Sequence, residues 1–320
     1  MLTFETVAYR DSEKRELVEH IPVLLEEVLQ ALGVDQGGFF LDLTFGGGGH
    51  SRAILEAHPE NRVFALDCDL RAVQRGQALK DDYQDRFEIF HGNFADAVKI
   101  FKNLRFNGAL ADLGLSTFQL YENRGFSFKD EELDMRMDET SGISDARSLV
   151  NDAEPAELRK IFYEGGVRDN VEALVEGILK ARPIKSARQL ASIANATLHG
   201  GANRSRHKAT VVFQALRIAV NGEFSSLRSL LDALPLISGV GTKVAIITFH
   251  SLEDQIVASK FRAWAVGEKL APPSAWRGTV ARPVRALGKL TPKKFIAPSD
   301  DELASNPASR SARLRVFTFS

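Results

Sequence analysis

The sequence predicts an α/β protein, a doubly wound parallel sheet interrupted by an all-helical insertion domain. Three observations point there. Short apolar runs that end in aspartate alternate with stretches of helical periodicity, the pattern of parallel βαβ units. Four successive glycines, Gly46, Gly47, Gly48 and Gly49, join the first run to its helix, as in an open sheet that offers backbone N–H groups to a ligand. From about residue 126 to 234 helical patterns continue with no convincing strand, after which the sheet pattern resumes.

Residues 1–19 are polar and charged and read as a flexible N-terminal arm. Ile21-Pro22 then opens a helix, with Val23, Leu24, Val28 and Leu32 at helical spacing until Gly33. Phe39, Phe40 and Leu41 form the first strand, which ends in Asp42; beyond the glycines a helix covers 52–58. The second strand, 62–66, ends in Asp67, and Asp69 caps the helix that follows over 69–79. Strand three covers 87–90, and strand four covers 108–111 and ends in Asp112. After the insertion, 244–249 forms a strand that breaks into a helix to about residue 266, where Ser251 and Asp254 fit a capping box. The tail adds a basic stretch over 277–294, a short helix from Ser299 with Glu302 as its capping partner, and a last strand over 314–319. The expected domains are 20–125 with 235–320 for the sheet, and 126–234 for the insertion.

A chain of 320 residues suits one large or two unequal domains. Its 44% hydrophobic and 26% charged residues are ordinary for a soluble globular protein. No run of 18 apolar residues and no signal peptide is present, so no membrane role is expected. The lone Cys68 excludes an internal disulfide and fits a reducing cytoplasm. The seven histidines lack ligand spacing, so no catalytic metal is expected. A net charge of -1 gives no argument for nucleic acid; any such binding must come from local charge segregation.

The glycine turn carries the first functional reading. Glycine permits positive φ and leaves the backbone bare to a ligand. Asp67 lies about 20 residues on, where a ribose hydroxyl wants a carboxylate. A nucleoside-type cofactor is expected here, rather than a tight turn without a ligand. The dinucleotide fingerprint G-x-G-x-x-G is not met cleanly, because His50 and Ser51 follow the run. Asp42 with the glycines instead gives D-x-x-x-G-x-G, which resembles the first motif of the Rossmann-like S-adenosylmethionine methyltransferases.

The insertion is split in charge. Carboxylates predominate between Asp130 and Glu176; from Gly177 to Gly222 there is no Asp or Glu, yet Lys180, Arg182, Lys185, Arg188, Arg204, Arg206, Lys208 and Arg217 all occur. A charge run is usually a solvated face. Segregation this complete points instead to a phosphate-binding surface, with Lys180, Arg188, Arg204, Arg206, Lys208 and Arg217 as candidate phosphate contacts.

In order along the chain stand HIPVLLEEVL, DLTFGGGGHS, HGNF, DLGLSTFQL, RGFSF, LDMRMD, FQALRIAVN, TFHSLED and NPASRSARLRV. Together they resemble the ribosomal RNA small subunit methyltransferase H family, bacterial enzymes that use S-adenosylmethionine to methylate N4 of a cytidine in the decoding region of 16S rRNA. The resemblance implies a Rossmann-like class I methyltransferase sheet interrupted by a helical domain. It implies cofactor contacts from Gly48, Gly49, His50, Asp67, Phe94, Asp112 and Gln119, and the small ribosomal subunit as partner. On this reading the helix start holds the methionine carboxylate. Asp67 accepts the ribose hydroxyls, Phe94 walls the adenine and Asp112 offsets the cation. Without the resemblance, Asp112 reads equally as a helix N-cap and Phe94 as a core aromatic.

The D/N/S-P-P-Y motif by which many amino methyltransferases handle the amine is absent after strand four, where Asp112-Leu113-Gly114-Leu115-Ser116 stands. Candidates for the base pocket are therefore Asp112, Asp134, Asp138, His250 and Glu253. Arg136 faces either a phosphate or a neighbouring aspartate, Met135 and Met137 read as packing, and Phe126 and Phe128 read as core or as base-stacking rings. Two segments depart from the family pattern: HKATVVF lacks a proline and an arginine, and NPASRSA lacks one basic residue.

Overall fold

The computed structural model describes residues 21–199, 208–267 and 285–320, together with two short antiparallel strands, β1 (Thr6–Ala8) and β2 (Leu17–Glu19). Most of the expected arm, Arg204, Arg206 and the first part of the basic tail stretch lie outside the described residues. The chain forms two compact units, Met1–Gly114 with Leu227–Ser320, and Leu115–Ser226. Both boundaries fall earlier than the expected 126–234. The carbonyl of Arg124 accepts the N–H groups of Asp134 and Met135, which ties the chain before residue 126 into the second unit. Leu227, Leu230, Leu231 and Leu234 pack in the core of the sheet.

Along the chain, α1 (Leu25–Leu32), β3 (Phe39–Asp42), α2 (Gly49–Ala57), β4 (Arg62–Asp67), α3 (Leu70–Tyr83), β5 (Phe87–His91), α4 (Ala97–Phe101) and β6 (Phe106–Asp112) build the first half of the sheet. The second unit carries α5 (Thr117–Tyr121), α6 (Ala146–Asp152), α7 (Pro155–Glu164), α8 (Val171–Ala181), α9 (Ala187–Thr197) and α10 (Ala209–Asn221). Helix α11 (Glu223–Ile237) leads back to β7 (Ser238–Thr248), α12 (Ser251–Val266), β8 (Gly288–Leu290), α13 (Asp300–Ser305) and β9 (Arg313–Phe319).

The sheet order is β5-β4-β3-β6-β7-β9-β8. The first five strands in that order pair in parallel, and β9 runs antiparallel between β7 and β8. Successive side chains point to opposite faces, so Phe40 enters one core and Leu41 the other. Helices cover both faces, which is why the strands read as nearly continuous apolar runs. On one face Phe261, Trp264, Phe317 and Phe319 stack at centroid distances of 5.0–5.5 Å. Burying each such ring contributes about 1.5–3 kcal/mol.

From β3 the winding steps outward to β4 and β5, then returns to β6 on the other side of β3. That reversal places the switch point at the carboxyl ends of β3 and β6, where ligands of open α/β sheets bind. Asp42 and Asp112 end those two strands. The second unit has its own core, from Phe126 and Leu133 through Phe162, Leu174 and Leu190 to Leu216. Among its described residues it is helical, without a strand. Among the described residues no helix is long and apolar enough to cross a membrane.

Candidate active site

Three neighbouring strands, β4, β3 and β6, end in Asp67, Asp42 and Asp112. Asp42 is buried; its carboxylate accepts Ser51 Oγ–H at 2.6 Å and the Thr44 N–H at 3.1 Å. Thr44 in turn accepts the Asp112 N–H on its Oγ1 at 2.6 Å, which locks the first loop to the end of β6. Asp67 accepts the Gly46 N–H at 2.7 Å and the Asp69 N–H at 2.8 Å, so it shapes the glycine turn while standing at its edge. The turn itself takes positive φ at Gly46 and Gly48, 53° and 79°. A Cβ at Gly48 would also meet the Phe45 ring at 2.6 Å, so a side chain is excluded twice over.

Helix α2 begins at Gly49, earlier than residue 52, because Gly48 in the left-handed region already turns the chain into it. No side chain caps its first turn, leaving backbone donors at that end for a ligand. His50 sits in that turn. Its Nε2–H donates to the Val23 carbonyl at 3.1 Å, and its Nδ1 faces Asp112 Oδ2 at 3.8 Å.

The electrostatics of the strand ends are unusual. Burial pushes the Asp42 carboxyl up to about 6, against which the Ser51 and Thr44 hydrogen bonds act. Burial likewise lifts Asp67 to about 6 despite its two backbone donors. Asp112 is pushed up to about 8 by burial and by the nearby Asp42 and Glu253 carboxylates. Its Oδ1 is buried without a hydrogen-bond partner among the described residues. A carboxylate so placed favours a cation.

At the end of β7, His250 is the N-cap of α12. Its side chain accepts the Glu253 N–H, while Glu253 Oε2 accepts the N–H groups of Phe249 and His250 at 3.0 and 3.3 Å. The capping box therefore lies one residue earlier than Ser251 and Asp254, because the helix starts at Ser251 rather than after it. Both His250 and Glu253 are engaged in ending the strand and starting the helix. Asp254 instead binds Arg313 and Arg315, at 2.6–3.0 Å, on the neighbouring β9.

Phe94 opens the turn after β5, partly buried against the sheet core, with Asn93 capping that turn through the Ala95 N–H. Phe94, Gly48, Gly49, His50, Asp67 and Asp112 all belong to the first unit. Ser51 and Thr44 also shape the site, and their only signal in the sequence is proximity to the glycines; Asp42 is legible there only as part of a motif.

The second unit holds the remaining candidates. Gln119 is buried and closes a capping box with Ser116, its Oε1 accepting the Ser116 N–H at 3.0 Å. Asp134 forms a bidentate pair with Arg136, at 2.8 and 2.7 Å. Burial alone would raise Asp134, but Arg136 outweighs it and holds the carboxyl below the usual range. Such a group is a poor proton acceptor. Asp138 folds onto Thr140, accepting its N–H and its hydroxyl. Met135 is buried, Phe126 belongs to the core, and Phe128 meets Phe213 edge-on at 4.8 Å.

The basic window is largely paired in space. Lys180 lies 3.7 Å from Glu176, Arg188 lies 2.8 Å from Glu131, and Arg217 makes a bidentate pair with Glu223 at 2.7 and 2.9 Å. Arg182 caps carbonyls of Val150 and Ala153, and Lys208 donates to Asn195 O at 3.2 Å. Arg217 is mostly buried in its pair and so corrects the sequence reading of it as an open phosphate contact. Lys180 and Arg188 keep most of their side chains in solvent.

A reversed parallel sheet with its last strand antiparallel, a glycine turn, and carboxylates at three strand ends define a Rossmann-like methyltransferase. The MraW methylase family matches residues 17–320, and the chain belongs to it. It is 45% identical over 94% of its length to the ribosomal RNA small subunit methyltransferase H of Nitratiruptor sp., covering 98% of that protein. Identity to proteins of the same name is 42% in Cyanothece sp., over 93% of both chains, and 41% in Syntrophotalea carbinolica, over 95% of this chain and 98% of the relative. The chain is thus a methyltransferase, and its methyl donor is S-adenosylmethionine. The site fits that donor: bare backbone at the turn suits an anionic carboxylate, and the unpartnered, buried Asp112 Oδ1 suits a positive charge.

Proposed function

We propose that this enzyme methylates N4 of a cytidine in the decoding region of 16S rRNA, within the small ribosomal subunit in the cytoplasm. Near-full-length identity to proteins named for the ribosomal RNA small subunit carries the substrate reading. When bound, S-adenosylmethionine supplies an already activated methyl group. The protein's task is then alignment, and orientation of two reactants can be worth roughly 7–11 kcal/mol.

On this reading the first turn of α2, at Gly48, Gly49 and His50, holds the donor carboxylate, Asp67 the ribose, and Phe94 the adenine face. Gln119, expected from the resemblance as a further donor contact, closes a capping box with Ser116 within the helical unit. Asp112 has two tasks. Beside a positive charge its Oδ1 stays ionised; once that charge is gone its affinity for a proton climbs back toward the value of about 8 set by burial and by its carboxylate neighbours. It can therefore take the proton that the amine must lose. Asp134 is disfavoured for this step by its Arg136 pair. Asp138, His250 and Glu253 shape turns on this reading rather than carry protons. Among the described candidates of the helical unit, the exposed Lys180 and Arg188 are placed to meet RNA phosphates on this reading.

Labelled donor with unmodified small subunits, followed by mapping of the labelled nucleotide, tests the function. Label on a cytosine N4 of 16S rRNA supports it. Label on another base, or on protein alone, removes it.

A further inference from the structure

The residues just ahead of α1 lie across the glycine turn. Pro22 sits so close that a Cβ on Gly49 would come 2.4 Å from its Cγ, so the turn and this segment fit only with glycine there. The Val23 carbonyl is the acceptor for His50 Nε2. Leu24 is fully buried in a left-handed conformation, φ 54 and ψ 38, which a leucine holds only under constraint.

The constraint comes from the far end of the chain. Glu302 Oε1 accepts the Leu24 N–H at 2.7 Å. Asn306, itself buried, donates its Nδ2–H to the Ile21 carbonyl at 3.1 Å. The two holding residues are linked, since the Asn306 N–H donates to the Glu302 carbonyl at 2.7 Å. Residues 21–24 thus form a strap with the glycine turn on one side and the α13 segment on the other.

We propose that Glu302 and Asn306 are positioning residues for the methyl donor, acting through this strap. By fixing Leu24 and Ile21 they fix Val23, whose carbonyl sets the His50 ring, and with it the approach of Nδ1 to Asp112. They also keep Pro22 on Gly49, so the turn is already ordered before the donor arrives. An unheld turn must be ordered during binding, and that cost appears as lost affinity. The inference rests on the donor lying at the glycine turn.

The test compares donor affinity by calorimetry, kcat and KM for the donor, and amide exchange at residues 46–52, in the full-length enzyme. Glu302→Ala is expected to weaken donor binding and raise its KM by about tenfold, with kcat nearly unchanged. Exchange at the turn should rise in parallel. Glu302→Gln keeps an acceptor oxygen and should restore both, and Asn306→Ala should resemble Glu302→Ala. Asp67→Ala reports on the donor site itself. Normal donor affinity in Glu302→Ala, with exchange at Leu24 increased and Asp67→Ala still crippled, overturns the strap alone. Normal affinity in both variants overturns the donor site and the strap with it.

Discussion

Two sets of carboxylates in this protein face opposite fates. In the sheet unit, Asp42 and Asp67 are buried and Asp112 is half-buried at strand ends, with no lysine or arginine bonded to their carboxylates among the described residues, and burial raises all three. In the helical unit Asp134 is also partly buried, yet the Arg136 guanidinium holds it ionised. Asp254 shows the same remedy on the sheet, where Arg315 and Arg313 outweigh burial. The difference teaches what each is for. The arginine-paired carboxylates are held ionised by the protein itself; on the proposed reading Asp112, which has no such partner, is left for a positively charged ligand.

The largest expected effect follows from removing the most perturbed member. Asp112→Asn should cut methyl transfer by about 10²–10³-fold, the usual cost of losing one preorganised electrostatic group. It should also raise the thermal stability of the donor-free protein, because a buried acid with a raised affinity for protons has been removed. Asp134→Asn, by contrast, should lower stability by leaving Arg136 unpaired, with a much smaller effect on donor affinity. Equal losses of donor affinity in the two variants would erase the distinction between the two regions.

Next in size is Asp67→Ala. Charged hydrogen bonds contribute about 1.5–3 kcal/mol each, so donor affinity should fall by roughly 10–150-fold while the sheet stays folded. Isothermal calorimetry with circular dichroism separates those outcomes. A third effect is pH-dependent. The folded protein keeps protons on Asp112 up to about pH 8 and on Asp42 and Asp67 up to about 6, whereas unfolded carboxyls release theirs near 3.8. The folded state binds more protons between these limits, so these groups make the donor-free protein less stable as pH rises from about 4 to about 8. Saturating donor should flatten that decline in urea melts. A decline that the donor does not alter would place the titrating groups elsewhere.

The smallest effects concern the basic window. Lys180→Ala should change stability by less than about 0.5 kcal/mol, because its pair with Glu176 is exposed on both sides. It should instead reduce the salt dependence of subunit binding by about one phosphate contact. Arg217→Ala should do the reverse, costing about 1–3 kcal/mol of stability through its shielded pair with Glu223 and leaving the salt slope alone.

Legibility in the sequence followed the range of the interactions. The carboxyl ends of β3 and β4, the glycine turn and the Asp69 cap are set by neighbours within a few residues and are readable in the sequence, whereas β7 starts at Ser238, six residues before the expected 244. The cap of α12 was misread by one residue because Ser251 with Asp254 matches the same local rule as His250 with Glu253; only the helix start decides between them. The basic window looked unpaired because Glu131, Glu176 and Glu223 all fall outside residues 177–222, though folding brings them to its cations. The strap was invisible for the same reason in the extreme: Leu24 and Glu302 stand 278 residues apart. The elevated proton affinity of Asp112 was equally hidden, since it arises from burial and from carboxylates on β3 and α12 that the sequence scatters.

Proton release on donor binding tests the central claim most directly. At pH 7, calorimetry in buffers of different ionisation enthalpy should show close to one proton released per S-adenosylmethionine bound by the native enzyme. Release should be far smaller for Asp112→Asn, and for the native enzyme with the demethylated product, which lacks the sulfonium charge. Equal proton counts in all three would contradict the account.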